Sequence, residues 1–488
     1  MSDDLHHPAA AGETDERTVR GPGSWPIVVA ASAVLVVNLD TMLNIALPAI
    51  TRTFSVEVSE IGWLVICYVL TYACLLVTTG RLADAYGHER MLRIGLAISV
   101  AGLTACGLTP SWGAFLAGRV LQGAGAALVL GAAPALVTIS VPEEQRSRAL
   151  GLFQFGVALG FVAGPPVGGL LLELTSWRAV FLVRAPLAAA VLLLVVLRPT
   201  GLSRPTRAER PPLDLAGTLS LGGAVAGGLL GLNRGGQTGW TGLPVLAGLA
   251  ALPVLVAVWV AVERRAAAPA LDPRLFRSPS FSVANLLSAA ANAAMFMIWL
   301  LVPYYLLTTR SFSTITGGLL LAANPLATAL VAPAAGRASA RLGAGRVAVV
   351  GLAVEAAGLF ALSRLGPATP AIGVAGALAT VGLGVGLFTV PNMSLVMGAI
   401  ARSEQGVAGA LTQMARTVGV VGGVALGGLG LAHLRRDEAV RLGVPATDPA
   451  TFLPAFGTVF LVAAIVAGAA TIVSLARAGD RDQPRPAG

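Results

Sequence analysis

The stretch GLFQFGVALGFVAGPPVGG, residues 151–169, decides the fold of this chain. Within it, four glycines recur every four residues, at Gly156, Gly160, Gly164 and Gly168. On a helix they share one side and leave a groove without side chains, where another backbone can approach closely. Because a glycine inside a helix costs about 1 kcal/mol relative to alanine, the row predicts a specific packing requirement. Two interpretations are open: close packing of two fixed membrane helices, or a pivot on which two helix bundles rock.

The composition places the chain in a membrane. Of its 488 residues, 55% are hydrophobic and only 12% are charged, and the mean hydropathy is +0.78. Apolar runs long enough to cross a bilayer core of about 30 Å recur from Trp25 to Leu475. In lipid every backbone polar group must be satisfied internally, and the runs lack the alternation of barrel strands. The sequence therefore predicts an all-α polytopic membrane protein.

The apolar runs predict fourteen membrane spans. They lie near residues 26–50, 61–79, 91–109, 113–139, 149–172, 178–197, 213–232, 243–262, 281–306, 315–335, 347–365, 371–400, 405–431 and 452–476.

Arginine sets the predicted orientation, since all 33 basic residues are arginine. With both termini in the cytoplasm, the cytoplasmic segments hold 22 of them and the external loops hold 8, as the positive-inside rule requires. The basic charge thus reflects topology and predicts no nucleic-acid partner. We expect a multi-pass protein of the cell (plasma) membrane. Residues 1–24, which lack the features of a signal peptide, and residues 479–488 are expected to form cytoplasmic tails, the first of them disordered.

Neither a metal site nor a cofactor is predicted. The three cysteines lie in apolar spans without metal-ligand spacing, and the four histidines lie in tails or loops. The sequence contains no Walker A, HExxH or GxSxG motif. We therefore expect that the chain is not an enzyme.

The chain contains an internal duplication. Residues 80–103 align without a gap on residues 336–359, with ten of the 24 positions identical. The glycine row has an echo at Gly419, Gly423, Gly427 and Gly428, which correspond to Gly160, Gly164, Gly168 and Gly169. Both offsets are too long for six spans alone. We therefore predict a six-span bundle in residues 25–200, two inserted spans with connectors in residues 201–272, and a second six-span bundle in residues 273–478.

The loop after the second span is a candidate conformational gate. It contains Gly80, Arg81, Asp84, Gly87 and Arg90. A tight turn between two glycines places the Asp84 carboxylate beside helix ends and arginines, where it gains about 0.3–1 kcal/mol if exposed. Such a latch can hold one access state and release it, and a plain capped turn is the alternative. The second copy has Ala340 in place of Asp84, so only one half can carry the latch.

Ionisable residues inside the predicted spans are candidates for proton coupling. A charged side chain in a membrane helix costs at least about 2.5–3.5 kcal/mol, so Asp40 should face a cavity or a partner. At about 1.5 Å per residue, Asp40 and Arg119 lie at similar depth. We hypothesise that Asp40 carries a coupling proton and that Arg119 modulates it, with a static buried ion pair as the alternative. Glu355 is the second candidate, for proton coupling or cation recognition. A Glu355–Arg416 pair and the role of Arg184 stay open.

Polar residues in the spans are candidate recognition points in a substrate cavity. We expect contributions from Asn44, Gln122, Asn285, Asn292, Trp299, Asn392 and Arg416. Apolar, flexible walls with few polar anchors suit amphipathic or cationic organic molecules. For any single Asn or Gln, the alternative is a hydrogen bond that joins two helices.

Several segments resemble a known transporter family. An antiporter motif of exporters in the major facilitator superfamily is matched at every fixed position by Gly151, Gly160, Gly164, Pro165, Gly168 and Gly169. The segment LDTMLNIALP, residues 39–48, is similar to l-D-x-T-x-x-N-x-A-L-P of the fourteen-span drug:proton antiporters. RVLQG, residues 119–123, resembles the superfamily's R-x-x-Q-G motif, and the loop at residues 80–90 resembles G-x-L-x-D-x-x-G-x-x-R, with Ala85 where an Arg is usual.

The resemblance implies a major facilitator fold and secondary active efflux. Protons would move inward while a drug-like or antibiotic small molecule leaves by alternating access. A monomer is expected, whose partners are the substrate, protons and the lipid bilayer. A proton-coupled uptake symporter of a small organic solute is the alternative function. A sensor built on a transporter scaffold is a further one.

Overall fold

A computed structural model of the chain describes residues 25–199, 278–398 and 405–481, together with the single positions 254, 257 and 258. Within these residues the regular secondary structure is helical, and there are no strands. Twelve helical segments are long and apolar enough to cross a membrane. The prediction of an all-α polytopic membrane protein is therefore confirmed.

Four predicted segments fall outside the described residues, wholly or in large part. These are the tails at residues 1–24 and 479–488 and the two inserted spans near residues 213–232 and 243–262. The count of fourteen spans therefore stays a prediction.

The first six spans lie between Trp25 and Leu197. The first of them is formed by two helices with a 3₁₀ turn at Leu39–Thr41 between them. The helices are α1 (Trp25–Asn38), α2 (Met42–Phe54), α3 (Val58–Tyr86), α4 (His88–Leu108), α5 (Trp112–Ile139), α6 (Glu143–Leu174), α7 (Ala179–Leu182) and α8 (Arg184–Leu197).

The last six spans lie between Pro279 and Arg481. The first of them continues from α9 into a π-helical turn at Tyr305–Thr309. The helices are α9 (Pro279–Tyr304), α10 (Thr314–Leu342), α11 (Ala344–Ser363), α12 (Ala371–Gly398), α13 (Gln405–Leu442) and α14 (Pro449–Arg481).

Local capping explains where several helices begin. The side chains of Ser111, Ser278 and Ser313 each accept a backbone N–H of the first turn of α5, α9 and α10. The largest departure from the predicted bounds is at the end of α13, which passes the predicted residue 431 and ends at Leu442. Its last turns are polar, but Arg435 ties them to the start of α14 by donating to the Thr451 hydroxyl at 3.0 Å.

The described helices pack as two bundles, α1–α8 and α9–α14. In the first, α5 packs on α1, α3 and α4, and α6 packs on α1 and α2; in the second, α12 packs on α10 and α11, and α13 packs on α9. Two helix pairs join the bundles, α6 with α10 and α3 with α13, and α2 also touches α9. The corresponding helices of the two halves thus occupy corresponding places.

The duplicated loop shows the same repeat in its backbone. Gly87 ends α3 with φ 97° and Gly343 ends α10 with φ 89°, a left-handed region that side chains other than glycine rarely adopt. Each glycine N–H closes the helix before it, donating to Ala83 at 2.9 Å and to Ser339 at 3.1 Å. The matched loop glycines are therefore required by matched turns.

The glycine row of α6 faces the broken first span of its own bundle. A Cβ added at Gly156 would lie 2.8 Å from the Ala31 carbonyl oxygen, and one at Gly168 would lie 2.7 Å from that of Met42. Real Cβ atoms do not approach this closely, so the absence of side chains lets the two backbones touch. The echo on α13 packs in the same way, with Gly419 against Ala289 of α9.

The other side of the motif contacts the second bundle. The Pro165 carbonyl meets Gly318 of α10, and Gly169 meets the backbone of Thr314 at the start of α10. The Thr314 hydroxyl also donates to the Gly169 carbonyl at 2.8 Å. The motif therefore has two neighbours: its row packs on a helix of the same bundle, while Pro165 and Gly169 lie at the junction of the bundles.

We expect Gly164→Ala to destabilise the protein, because a Cβ there would overlap the Thr41 hydroxyl and lie 3.1 Å from the Met42 amide. Overpacking of this kind costs about 1–3 kcal/mol. The thermal unfolding midpoint of the purified protein in detergent measures the effect. Gly151→Ala is the matched control, since nothing lies within 4 Å of a Cβ at Gly151. A midpoint for Gly164→Ala equal to that of Gly151→Ala would contradict the packing.

Candidate functional site

The break in the first span holds a carboxylate inside the membrane protein. The 3₁₀ turn at Leu39–Thr41 places Asp40 between α1 and α2. The Thr41 hydroxyl donates to the Gly160 carbonyl at 3.3 Å, and the glycine row of α6 lies directly behind the turn. The glycine motif and the carboxylate, which are far apart in the sequence, therefore meet at one place in the fold.

Two arginines from other helices hold the Asp40 carboxylate. Arg119 of α5 makes a bidentate contact, with one nitrogen 2.7 Å from Oδ1 and the other 2.8 Å from Oδ2. Arg184, the first residue of α8, donates to Oδ1 at 2.8 Å. The structure thus brings Asp40 and Arg119 together and adds a third member whose role the sequence left open.

Neighbouring groups fix the geometry of this cluster. Gln122 accepts from Arg119 at 2.7 Å and donates to Asp40 at 3.0 Å, so it closes a ring of hydrogen bonds. The Nε of Arg119 donates to the Leu64 carbonyl at 2.8 Å, and its guanidinium lies 4.4 Å from the centre of the Tyr68 ring. Four spans therefore meet at the Asp40 cluster, which comprises Asp40, Arg119, Gln122 and Arg184.

The charges of the cluster do not cancel. Arg119 and Arg184 are 0% and 1% exposed and Asp40 is 16% exposed, and the only carboxylate among them is that of Asp40. Removing one member of a buried pair costs about 3–5 kcal/mol, because the other charge loses its partner. Asp40 in its ionised form is therefore required to offset the arginines, and the cluster keeps an excess of one positive charge.

Glu355 lies apart from this cluster. It is fully buried on α11, and Gly384 of α12 packs against its backbone. Among the described residues, neither carboxylate oxygen has a hydrogen-bond partner, and no Glu355–Arg416 pair is formed. A buried carboxylate without a partner costs several kcal/mol, so in this conformation Glu355 is expected to be neutral.

The side chains of three predicted cavity residues are hydrogen-bonded to helix backbones. Asn44 donates to the Thr41 carbonyl at 3.2 Å and Asn285 donates to the Phe281 carbonyl at 2.9 Å, each within its own span. Asn392 of α12 donates to the Ala284 carbonyl of α9 at 3.1 Å. All three are buried, as is Trp299. Helix-to-helix attachment is therefore the geometry seen for Asn392, as the alternative interpretation expected.

Two other predicted cavity residues contact each other. Asn292 of α9 accepts from the Nε of Arg416 of α13 at 3.1 Å, and its own amide donates to the Ser288 carbonyl at 2.8 Å. Both side chains are half-buried. The amide is thus oriented by its own helix and in turn orients the arginine.

Direct hydrogen bonds join the bundles at one end of the molecule, which we call the distal end, where the first span finishes at Phe54. The Thr51 hydroxyl lies 2.5 Å from that of Tyr304. Glu173, near the end of α6, accepts from the Thr314 amide at 3.1 Å. Its carboxylate also lies 2.7 Å from the Thr314 hydroxyl, whose single proton it shares with the Gly169 carbonyl. Glu173 therefore caps the first turn of α10 across the bundle boundary, a contact that the sequence did not predict.

A groove lies beside these distal contacts. Its volume is about 630 Å³, and it is lined from both bundles, by Arg52, Glu173 and Trp177 on one side and by Phe312 and Thr314 on the other. The groove therefore lies at the distal end, between the two bundles.

The predicted gate lies at the opposite, proximal end. The Asp84 side chain is 66% exposed and pairs with His88 Nε2 at 3.4 Å, one turn further along the chain. Gly80 and Gly87 occupy the end of α3, and Arg81 and Arg90 flank the turn. In the described part of the chain, the side-chain contact that Asp84 makes is therefore with a histidine, which carries a charge only when protonated; the sequence predicted arginines and helix ends.

Three relatives are similar to the chain over most of its length. "Multidrug resistance protein Stp" of Mycobacterium tuberculosis is 32% identical over 87% of this chain and 79% of that protein. "Tetracenomycin C resistance and export protein" of Streptomyces glaucescens is 32% identical over 91% and 81%. "Puromycin resistance protein pur8" of Streptomyces alboniger is 35% identical over 82% and 80%.

A solved structure shares the fold. The crystal structure of an auto inhibited POT family peptide transporter matches with a TM-score of 0.65 and 16% identity, over 95% of this chain and 98% of that one. The helical architecture and these similarities define a multi-pass membrane transporter, not an enzyme. The chain belongs to the Major Facilitator Superfamily, which it matches over residues 29–221, 215–424 and 284–488.

The charge excess of the Asp40 cluster predicts a specific pattern of stabilities. Asp40→Asn leaves two buried arginines without a counter-charge and should cost about 3–5 kcal/mol of unfolding free energy. Arg184→Gln leaves the Asp40–Arg119 pair and should cost less. Added to Asp40→Asn, Arg184→Gln should restore part of the stability. Thermal midpoints of the three variants measure the pattern, and an equal cost of Arg184→Gln in both backgrounds would refute the shared carboxylate.

We expect Glu173→Ala to loosen the distal end, since it removes the acceptor of the Thr314 amide and leaves the Thr314 hydroxyl bonded to Gly169 alone. Because Glu173 is exposed, the lost stabilisation should be about 0.5–1.5 kcal/mol. Spin labels at positions 176 and 311, one on each side of the boundary, would report a larger population at long distance. Glu438→Gln is the control, because Glu438 pairs with Arg441 on its own helix. Unchanged distances in Glu173→Ala would contradict a closing role.

Proposed function

We propose that this protein is a proton-coupled exporter of drug-like or antibiotic small molecules, working by alternating access in the cell membrane. The names of its relatives, which refer to multidrug resistance and to resistance and export of antibiotics, support the substrate class. The observation that carries the proposal is the Asp40 cluster, because it is a titratable group held by charges inside the membrane.

The cluster links protonation to helix packing. In this conformation both arginines donate to the Asp40 carboxylate. A proton on Asp40 removes the charge that keeps α5 and α8 against the 3₁₀ turn of the first span. The next residue, Thr41, lies against the glycine row of α6, and α6 contacts α10 of the second bundle through Pro165 and Gly169. A movement of the first span at Asp40 would therefore be transmitted through α6 to the junction of the bundles.

The distal contacts define the state of the transporter. We infer that both termini are cytoplasmic, which makes the distal end external. The hydrogen bonds at Thr51 and Glu173 then join the bundles on the external side, and the conformation is closed to the outside. The turn with Gly80, Arg81, Asp84, Gly87 and Arg90 lies on the cytoplasmic side, where we propose that it steadies the outward-facing state.

The subfamily assignment rests on the sequence. We propose a fourteen-span member, with bundles in residues 25–200 and 273–478 and two inserted spans in residues 201–272. The offset between the duplicated segments supports this assignment, because it contains more residues than six spans require. A coupling role for Glu355 would require a second conformation that gives its carboxyl group water or a cation.

The uptake symporter is the competing function. It uses the same scaffold and the same Asp40 cluster, and differs in the direction in which the solute moves when protons flow inward. An exporter depletes the compartment that the protons enter, while a symporter accumulates the solute there.

Reconstitution into liposomes with an imposed pH gradient tests the proposal. Asp40→Asn should abolish proton-driven flux of the compounds that the wild type moves, yet leave their exchange between equal concentrations, since the neutral side chain no longer titrates. Asp40→Asn with Arg184→Gln is the better-balanced variant should the single change fold poorly, and Arg364→Gln is the control for an exposed arginine. Unchanged proton-driven flux in either Asp40 variant would remove Asp40 from coupling, and accumulation of solute with protons would favour the symporter.

A further inference from the structure

Arg416 stands at the boundary between the bundles, in a helical segment that is long and apolar enough to cross a membrane. It lies on α13, which packs on α3 in the opposite direction, with Gly62 against Val424 and Gly428 against Ser59. Counting along this register puts Arg416 opposite the turn of α3 that holds Tyr72.

The guanidinium is only partly used. Within the described residues its Nε donates to Asn292, and neither terminal nitrogen makes a hydrogen bond or an ion pair. These two nitrogens form the fork that binds a carboxylate in bidentate fashion. Arg119, by contrast, uses both terminal nitrogens on Asp40. Arg416 is therefore a half-buried cation oriented by an amide, with its anion-binding side unoccupied by the described chain.

Among the described residues, no carboxylate pairs with Arg416. Asp40 is already shared between two arginines, so its cluster has a positive excess. Glu355 makes no contact with Arg416. A cation in a membrane interior is costly without a partner, and an incoming anion would relieve that cost.

Two tyrosine rings of α3 lie between the Asp40 cluster and the turn opposite Arg416. The Tyr68 ring lies against the Arg119 guanidinium, and the Tyr72 ring lies 5.5 Å from that of Tyr68 in an edge contact. From Leu64, which accepts from Arg119, to Tyr72 is about 12 Å along α3 at the usual helical rise. Two contacting rings thus extend along α3 from the Asp40 cluster to the turn that lies opposite Arg416.

We propose that Arg416, positioned by Asn292 and facing Tyr72, binds an acidic group of the transported molecule, so that the preferred substrates are organic anions with an aromatic body. The proposal rests on the transport function proposed above and names its substrate class. It differs from the sequence-based expectation of amphipathic or cationic molecules. Because Arg416 belongs to one bundle and Tyr72 to the other, the anion would bind between the two moving parts.

An anionic substrate has a consequence for the driving force. A membrane potential that is negative inside favours the exit of an anion by about 2.3 kcal/mol per charge and 100 mV. Export would then respond to the electrical potential as well as to the proton gradient.

Two dyes with the same ring system and opposite charge test the proposal. Fluorescein carries a carboxylate, and rhodamine 123 is a cationic ester. Fluorescence anisotropy with the purified full-length protein should show tighter binding of fluorescein. Arg416→Gln should weaken fluorescein binding about 10- to 100-fold, the range expected for a lost charged hydrogen bond. Arg416→Lys should retain part of the affinity, because it keeps the charge and loses the fork.

Control variants separate binding from folding. Arg364→Gln removes an exposed arginine and should leave fluorescein binding unchanged. Asn292→Ala removes the amide that orients Arg416 and should weaken binding less than Arg416→Gln does. Thermal unfolding and gel filtration establish that each variant is folded, and Arg416→Lys together with Asn292→Ala carry the test if Arg416→Gln is not.

The outcomes distinguish this inference from the proposed function. Fluorescein binding that is no tighter than that of rhodamine 123, or that is unchanged in Arg416→Gln and Arg416→Lys, overturns the anion site. Proton-driven export of rhodamine 123 alone would keep the exporter and remove the anion site. Binding of fluorescein through Arg416 without flux in liposomes, under a pH gradient or a membrane potential, would keep the site and remove the exporter.

Discussion

One carboxylate in a break of the first span is shared by two buried arginines, and much of the first bundle depends on it. Asp40 draws α5 and α8 onto the first span, while Arg119 also reaches the backbone of α3. Such a cluster is costly to assemble in a membrane, because each charge must be stripped of water before it finds its partner. Proteins keep such charges in membrane spans where the charges have a function. One proton added to Asp40 would leave both arginines without a counter-charge.

The helices of this protein were predictable from the sequence to within a few residues for most spans, because a bilayer imposes both length and apolarity. Asp40 and Arg119 were predictable as partners from their similar depth together with the motifs that the first and fourth spans share with a known family. Arg184 was not, since it begins α8 after a short helical turn and its direction depends on how α8 packs on α1. The surplus of arginine over carboxylate inside the spans was the available signal.

Contacts between helices were the part that the sequence did not determine. The spacing of the glycine row predicted a backbone in its groove without saying which, and the structure shows the first span there and α10 beside Pro165 and Gly169. The contact of Glu173 was equally unpredictable. In the sequence Glu173 is one polar residue at the end of a span, and only the packing of α6 on α10 places it beside the first turn of α10.

The pairing of the bundles has a bearing on how the chain arose. Helix α3 corresponds to α10 by the aligned loops, and α6 corresponds to α13 by the glycine echo. The two junctions, α3 with α13 and α6 with α10, are therefore the same junction made twice, in opposite senses. This is the geometry of an isologous interface, in which a surface meets its own copy about a twofold axis. A single six-helix ancestor with this surface would already have been able to associate with itself, before gene fusion joined the halves and let them differ, as at Asp84 and Ala340.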